Sequence, residues 1–174
     1  DRERRISATI MPPMPRDDTS AGAIRLRPTA PGDLAALFEI DRDPEGNARA
    51  GTKPRTVDVF LNVWERIFAD PDVNARVIDL HGEIVGTINA FHAEGKLCVG
   101  YSIARRHWGK GIASRALTLF LAEEQRRPLH ATILRDNAPS RRVLEKSGFR
   151  CTGFRTGEET DRYLPGDLAD FVLD

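Results

Sequence analysis

The stretch VGYSIARRHWGKGIASRALTLFL, Val99 to Leu121, changes its period halfway along. Val99, Tyr101 and Ile103 alternate with Cys98, Gly100 and Ser102, which is the two-residue period of a strand. Ile112, Ala113, Ala116, Leu117, Phe120 and Leu121 recur at spacings of four and make one apolar stripe of a helix. Between the two lies Arg106-His107-Trp108-Gly109-Lys110-Gly111, with glycines alternating where the helix must begin. Glycine takes positive φ without strain and lets another group come close to the chain. The first N–H groups of a helix have no internal partner, and the helix dipole adds partial positive charge there. A strand, a glycine turn and a helix N-terminus form a receptacle for an anion, typically phosphate. Arg105, Arg106 and Lys110 add charge around it.

The turn has a plain reading too, as a strand-to-helix connection whose glycines serve geometry alone. Two familiar phosphate loops do not fit. Ser114 stands where G-x-G-x-x-G needs its third glycine, and no G-x-x-x-x-G-K-[ST] occurs. R-x-x-G-x-G followed by Ile112-Ala113 does resemble the acetyl-CoA pyrophosphate loop of the GNAT superfamily of N-acetyltransferases, [QR]-x-x-G-x-[GA]. The longer string GYSIARRHWGKGIASRAL is similar to the Rim-type branch, the enzymes that acetylate ribosomal-protein N-termini. Downstream, the run NAPSRRVLEKSGF from Asn137 to Phe149 resembles that branch's N-x-x-S-x-x-V-L-E-K-x-G-F. Two motifs in this order and at this separation are far more specific than either alone, and together they anchor residues 84–154.

The bulk composition suits one soluble globular domain: 174 residues, 40% hydrophobic and 30% charged. No apolar run reaches the length of a membrane span, and the N-terminus shows no secretory signal. Cys98 and Cys151 make neither a disulfide framework nor a metal cluster and read as buried free thiols, which points to a reducing cytoplasm. The net charge of zero hides an asymmetry. Residues 104–155 hold twelve lysines and arginines against four acids, whereas residues 156–174 hold six acids and one arginine. The basic stretch contains the anion receptacle. Balanced overall charge and few aromatics argue against a nucleic-acid groove.

In chain order, residues 1–22 are proline-rich and aperiodic and read as a flexible tail, leaving 23–174 as a single domain. Ala23 to Thr29 alternates as a first strand, and Pro31-Gly32-Asp33 opens a helix. Asp43 to Pro54 reads as a loop, and Thr56 caps a helix that runs to about Phe68. Val73 to Leu80, Ile84 to His92 and Leu97 to Ile103 form an antiparallel meander. Leu129 to Leu134 is reached through the Gly109–Gln125 helix and so lies parallel to the strand at 97–103. Asp136 or Asn137 caps another helix that Gly148 stops. Phe149 to Phe154 reads as a strand and Arg162 to Leu164 as a short last one, with Asp167 to Asp174 unassigned. The sum is a mixed, mostly antiparallel sheet with a parallel pair at its centre and helices on both faces. In the resemblance this is the GNAT fold, whose central parallel pair splays apart.

The resemblance implies an acetyl-CoA-dependent N-acetyltransferase that moves acetyl directly to a primary amine, either a protein N-terminus or a small molecule, as a monomer or homodimer. A different class stays open, an acetyl-CoA-binding regulatory module with little turnover. The cofactor would lie along Tyr101, Ser102 and Ile103, with its pyrophosphate on Arg106, His107, Trp108, Gly109, Lys110, Gly111, Ile112 and Ala113. Asn137 would hold the pantetheine amide. Many GNAT enzymes place a tyrosine acid seven residues after that asparagine, but here the position is Leu144. The Rim-type branch has a serine three residues after it, and Ser140 stands there, either as the proton donor to the leaving thiolate or as a helix cap. Glu159, with Glu158, would be the base or part of an exposed turn. His92 is either a base or a surface histidine at a strand end. Trp108 is loop packing or a base stacker. Asn47, Arg49 and Thr52 either contact the acceptor or are ordinary loop residues. Arg115 replaces an acid that is usual in the branch.

Overall fold

The computed structural model describes residues 20–174, and most of the expected tail lies outside the described residues. Seven strands form one sheet in the order β1-β2-β3-β4-β5-β7-β6. They are β1 (Ile24–Pro28), β2 (Asn74–Leu80), β3 (Glu83–Ala93), β4 (Lys96–Ile103), β5 (Leu129–Leu134), β6 (Arg150–Gly157) and β7 (Gly166–Leu173). Every neighbouring pair is antiparallel except β4 and β5, which are parallel. Among the described residues there are five α-helices: α1 (Leu34–Asp41), α2 (Pro44–Ala50), α3 (Val57–Ala69), α4 (Ile112–Glu123) and α5 (Ala138–Lys146). Among the described residues, no helix is long and apolar enough to cross a membrane.

The helices cover both faces, and β2 shows why its sequence does not alternate cleanly. Val77 packs with Leu37 of α1 and Phe60 and Trp64 of α3 on one face. Its neighbour Ile78 packs on the other face with Ile112, Ala116, Leu117 and Phe120 of α4. Consecutive strand residues point to opposite faces, so a strand covered on both sides is apolar at successive positions. Each of these fully buried large side chains contributes roughly 1.5–3 kcal/mol. Gly86 of β3 is fixed by close approach, because a side chain there would collide with the Ser102 carbonyl oxygen of β4.

Three expectations need correction. Residues 43–54 are not all loop: Pro44–Ala50 is a helix closed by Gly51 in the left-handed region at φ 65°. It buries only Asn47, so it has no apolar stripe to betray it. Arg162–Leu164 is not a strand, since Tyr163 makes only an isolated bridge to Thr52. The last strand is β7, inserted between β5 and β6. Its Ala169, Phe171 and Val172 are buried, and its Asp170 is matched by Arg155 and Thr132 on the strands either side. The cysteines are free and half-buried rather than buried, and burial raises the pKa of the Cys98 thiol.

The end of α4 is tied down by one buried carboxylate. Glu124 is 4% exposed and takes Arg126 Nη2 at 2.7 Å, Arg126 Nε at 2.9 Å and Asn74 Nδ2 of β2 at 3.3 Å. The Arg126 guanidinium, more than any other group, lowers the Glu124 carboxyl from 4.5 to about 2. A carboxylate with a depressed folded pKa adds stability above its unfolded pKa and loses it as pH falls toward the folded one. Glu124→Gln should therefore be less stable than wild type by about 1–2 kcal/mol at neutral pH, after allowing for the half-exposed arginine. Urea melts between pH 5 and pH 2 should show that gap closing, whereas a constant gap would mean that Glu124 acts by shape alone.

Candidate active site

Strands β4 and β5 are in register at one pair alone, Cys98 and His130, and then part. A cavity of about 900 Å³ opens where they separate. Val99 to Ile103 of β4 and Ala131 to Leu134 of β5 line it from the two sides. Parting strands leave backbone groups without a ladder partner, and such groups need one from elsewhere.

The glycine turn forms one end of the cavity. Gly109 and Gly111 both have positive φ, 73° and 75°. Gly111 is the N-cap of α4 and offers no side-chain cap, and the first turn carries no acid. The opening N–H groups of α4 are thus left for a ligand anion at a positive dipole end. His107, Trp108, Gly109, Gly111, Ile112 and Ala113 all line the cavity. Arg106 and Lys110 do not. Arg106 instead pairs with Glu83 on the outside of the loop, and this pairing, followed by that of His107, lowers the Glu83 carboxyl. Trp108 supports the loop: its Nε1 donates to the Ile103 carbonyl at 2.8 Å, and the Arg49 guanidinium lies 3.9 Å from its ring centroid.

Helix α5 supplies the second wall. Asn137 caps it by accepting the Ser140 N–H at 3.2 Å, so Ser140 is not the cap. The other end of the same amide donates to the Arg49 carbonyl at 3.0 Å, which ties α5 to α2. Both ends of Asn137 are therefore engaged by the protein. The Ser140 hydroxyl makes no hydrogen bond among the described residues, and its residue lines the cavity. The Tyr101 hydroxyl points to the Ser140 carbonyl at 3.5 Å, and burial raises the tyrosine pKa. Leu144 is fully buried in the wall below. Arg142 and Lys146, one turn apart on α5, also line the cavity. Their i, i+4 spacing puts both on one face of α5.

Asn47, Arg49, Thr52, Glu159 and His92 take different places around the cavity. Asn47 is buried and structural, donating to the Asp41 and Asp43 carbonyls and accepting the Thr52 hydroxyl at 2.7 Å. Arg49 and Thr52 line the cavity, with Tyr163 beside Thr52. Glu159 stands outside the lining, exposed, with Lys53 Nζ 2.6 Å away. That lysine holds its carboxyl below the usual range, which makes it a weaker proton acceptor. His92 pairs with Leu97, at the far end of β4 from the cavity.

A model of the acetyltransferase (GNAT) domain matches residues 23–150. An N-acetyltransferase from Staphylococcus aureus Mu50 is 24% identical over 87% of this chain and 98% of its own, with a TM-score of 0.71. RimJ from Mycobacterium smegmatis, solved in complex with CoA-disulfide, is 26% identical over 86% of this chain and 81% of its own, with a TM-score of 0.66. Spermidine N-acetyltransferase from Vibrio cholerae, solved with CoA and spermine, is 17% identical over 87% of this chain and 96% of its own, with a TM-score of 0.70. No curated protein sequence matches the chain.

The two bonds of Asn137 can be separated by substitution. Asn137→Ala loses the cap and the tether to α2 and should cost about 1–2 kcal/mol, a fall in Tm of roughly 2–8 °C. Asn137→Asp keeps a capping oxygen, adds favourable charge at a helix N-terminus and loses only the donor, so its loss should be smaller. Equal losses in thermal melts would mean that the tether, not the cap, carries the stability.

Proposed function

The chain belongs to the GNAT acetyltransferase family, an acetyl-CoA-dependent N-acetyltransferase of that fold, and from this we propose how its own residues divide the work and what it acetylates. The carrying observation is the uncapped, glycine-entered N-terminus of α4 opening onto the cavity between the parting strands. These residues fit a CoA group. The free N–H groups suit its pyrophosphate, Arg142 and Lys146 suit its remaining phosphate, and the ladder gap beside β4 suits its amide-bearing arm. When bound, acetyl-CoA supplies an acetyl thioester.

Ser140 is the donor on the leaving-group side. Its hydroxyl is not engaged by the protein, and Leu144 can donate nothing. A hydroxyl aimed at a developing thiolate stabilises charge that appears only late in the reaction, which raises kcat rather than affinity. Asn137 acts mainly by holding α5 and α2 in place around that hydroxyl. To bind a pantetheine amide as well, it would have to give up the Arg49 carbonyl. The acceptor is a primary amine, either a protein N-terminus, as the sequence resemblance to the Rim-type branch implies, or a small molecule. An α-amine near pKa ~7.7–8.0 is already uncharged in roughly a tenth or more of its molecules at neutrality, whereas a lysine-type amine near ~10.4 is uncharged in well under about a hundredth. A site whose expected base, Glu159, stands outside the cavity lining suits the α-amine.

Ser140→Ala should lower kcat about ten- to a thousandfold with little change in KM for acetyl-CoA. The measurement is CoA-thiol release with an N-terminally free peptide and with spermidine, under conditions where chemistry limits the rate. Full turnover by the variant would remove Ser140 from the chemistry and route the proton through water.

A further inference from the structure

We propose that Arg49 of α2, and not a side chain of the glycine turn, supplies the positive charge that holds the pyrophosphate of CoA. This role deepens the cofactor reading above and rests on it. A pyrophosphate is a double anion at neutral pH. The free N–H groups at the start of α4 offer it partial charge only, about half an elementary charge for a whole helix. The cations of the turn itself are placed elsewhere. Arg105, Arg106 and Lys110 all stand outside the cavity lining. Arg105 is drawn to Asp43 and Arg106 to Glu83. His107 lines the cavity, but its Nε2 faces the same Glu83 at 3.4 Å. Arg49, Arg142 and Lys146 are the arginines and lysines of the lining. Arg142 and Lys146 share one face of α5 and go to the remaining phosphate, which leaves Arg49 for the pyrophosphate.

Two contacts hold Arg49 beside the turn. Its guanidinium carbon lies 3.9 Å from the centroid of the Trp108 ring, and that ring is fixed by the bond from Nε1 to the Ile103 carbonyl at 2.8 Å. Its main-chain carbonyl accepts from Asn137 Nδ2 of α5 at 3.0 Å. Trp108 adjoins Gly109, where the anion receptacle begins. A guanidinium stacked on an aromatic face keeps its planar fork of donors free for another partner. Among the described residues, the Arg49 fork has no hydrogen bond and no ion pair. An exposed arginine without a partner is ordinary, but this one is held in place by the protein's own contacts. Phosphate oxygens accept such a fork in parallel bonds, and a side chain already held has less freedom to lose.

The test titrates CoA, dephospho-CoA, which lacks the 3′-phosphate, and pantetheine, which lacks every phosphate, by calorimetry. The proteins are whole-chain wild type, Arg49→Gln and Arg49→Lys, with thermal melts to check folding. The tether from Asn137 uses a main-chain carbonyl and survives both substitutions. Arg49→Gln should weaken CoA and dephospho-CoA by the same factor, about ten- to a hundredfold, and leave pantetheine unchanged. Arg49→Lys keeps the charge without the fork and should recover part of the loss. CoA bound by Arg49→Gln as tightly as by wild type overturns the assignment. A loss confined to CoA overturns it too and gives Arg49 to the 3′-phosphate. An equal loss for pantetheine makes Arg49 a brace for α5 and nothing more. A wild-type protein that does not bind CoA overturns the cofactor reading and this assignment with it.

Discussion

Strands β4 and β5 hold register at Cys98 and His130 and then separate. A parallel pair that parts exposes backbone donors and acceptors on both strands, and a folded protein cannot leave many of these buried and unpaired. The surrounding elements answer this constraint. Helix α4 leaves β4 through the glycine turn and closes one end, α5 leaves β5 and closes a second side, and α2 crosses in front. What remains is a cleft with strand edges along its length and helix N-terminal N–H groups at its end. An extended, amide-bearing arm that ends in phosphates meets both needs at once.

The walls are held to one another by few contacts. Trp108 joins the glycine turn to β4 through the Ile103 carbonyl and to α2 through Arg49. Asn137 joins α5 to α2 through the carbonyl of the same arginine. Arg49 is therefore where the glycine turn, α5 and α2 meet. On the far side, Asp41 gathers Arg55 and Arg162 and fixes the β6–β7 connection against the end of α1.

The sequence disclosed most of this where local periodicity and tertiary burial agree. The β4–turn–α4 unit reads plainly because its strand alternates, its helix carries a full stripe and its glycines sit at the join. The α5 motif reads equally well, down to the cap at Asn137 and the stop at Gly148. Reading failed where burial is not apolar or comes from both sides. Helix α2 is seven residues held by the Asn47 side chain rather than by an apolar face, so only Pro44 and Gly51 marked it. Strand β7 is central yet acidic, because Asp170 is answered across the sheet by Arg155 and Thr132, and no local pattern reveals cross-strand partners.

The central claim is that the start of α4 receives the pyrophosphate of CoA. The most direct test titrates CoA and pantetheine, which lacks the phosphates, into wild type and into Gly111→Val by calorimetry. At φ 75° a β-branched side chain strains the turn, and the turn must then shift the N–H groups that would meet the anion. The account predicts that CoA binds the folded variant at least tenfold more weakly than wild type, while pantetheine binds both weakly and alike. Equal CoA affinity for wild type and a folded Gly111→Val protein would contradict it.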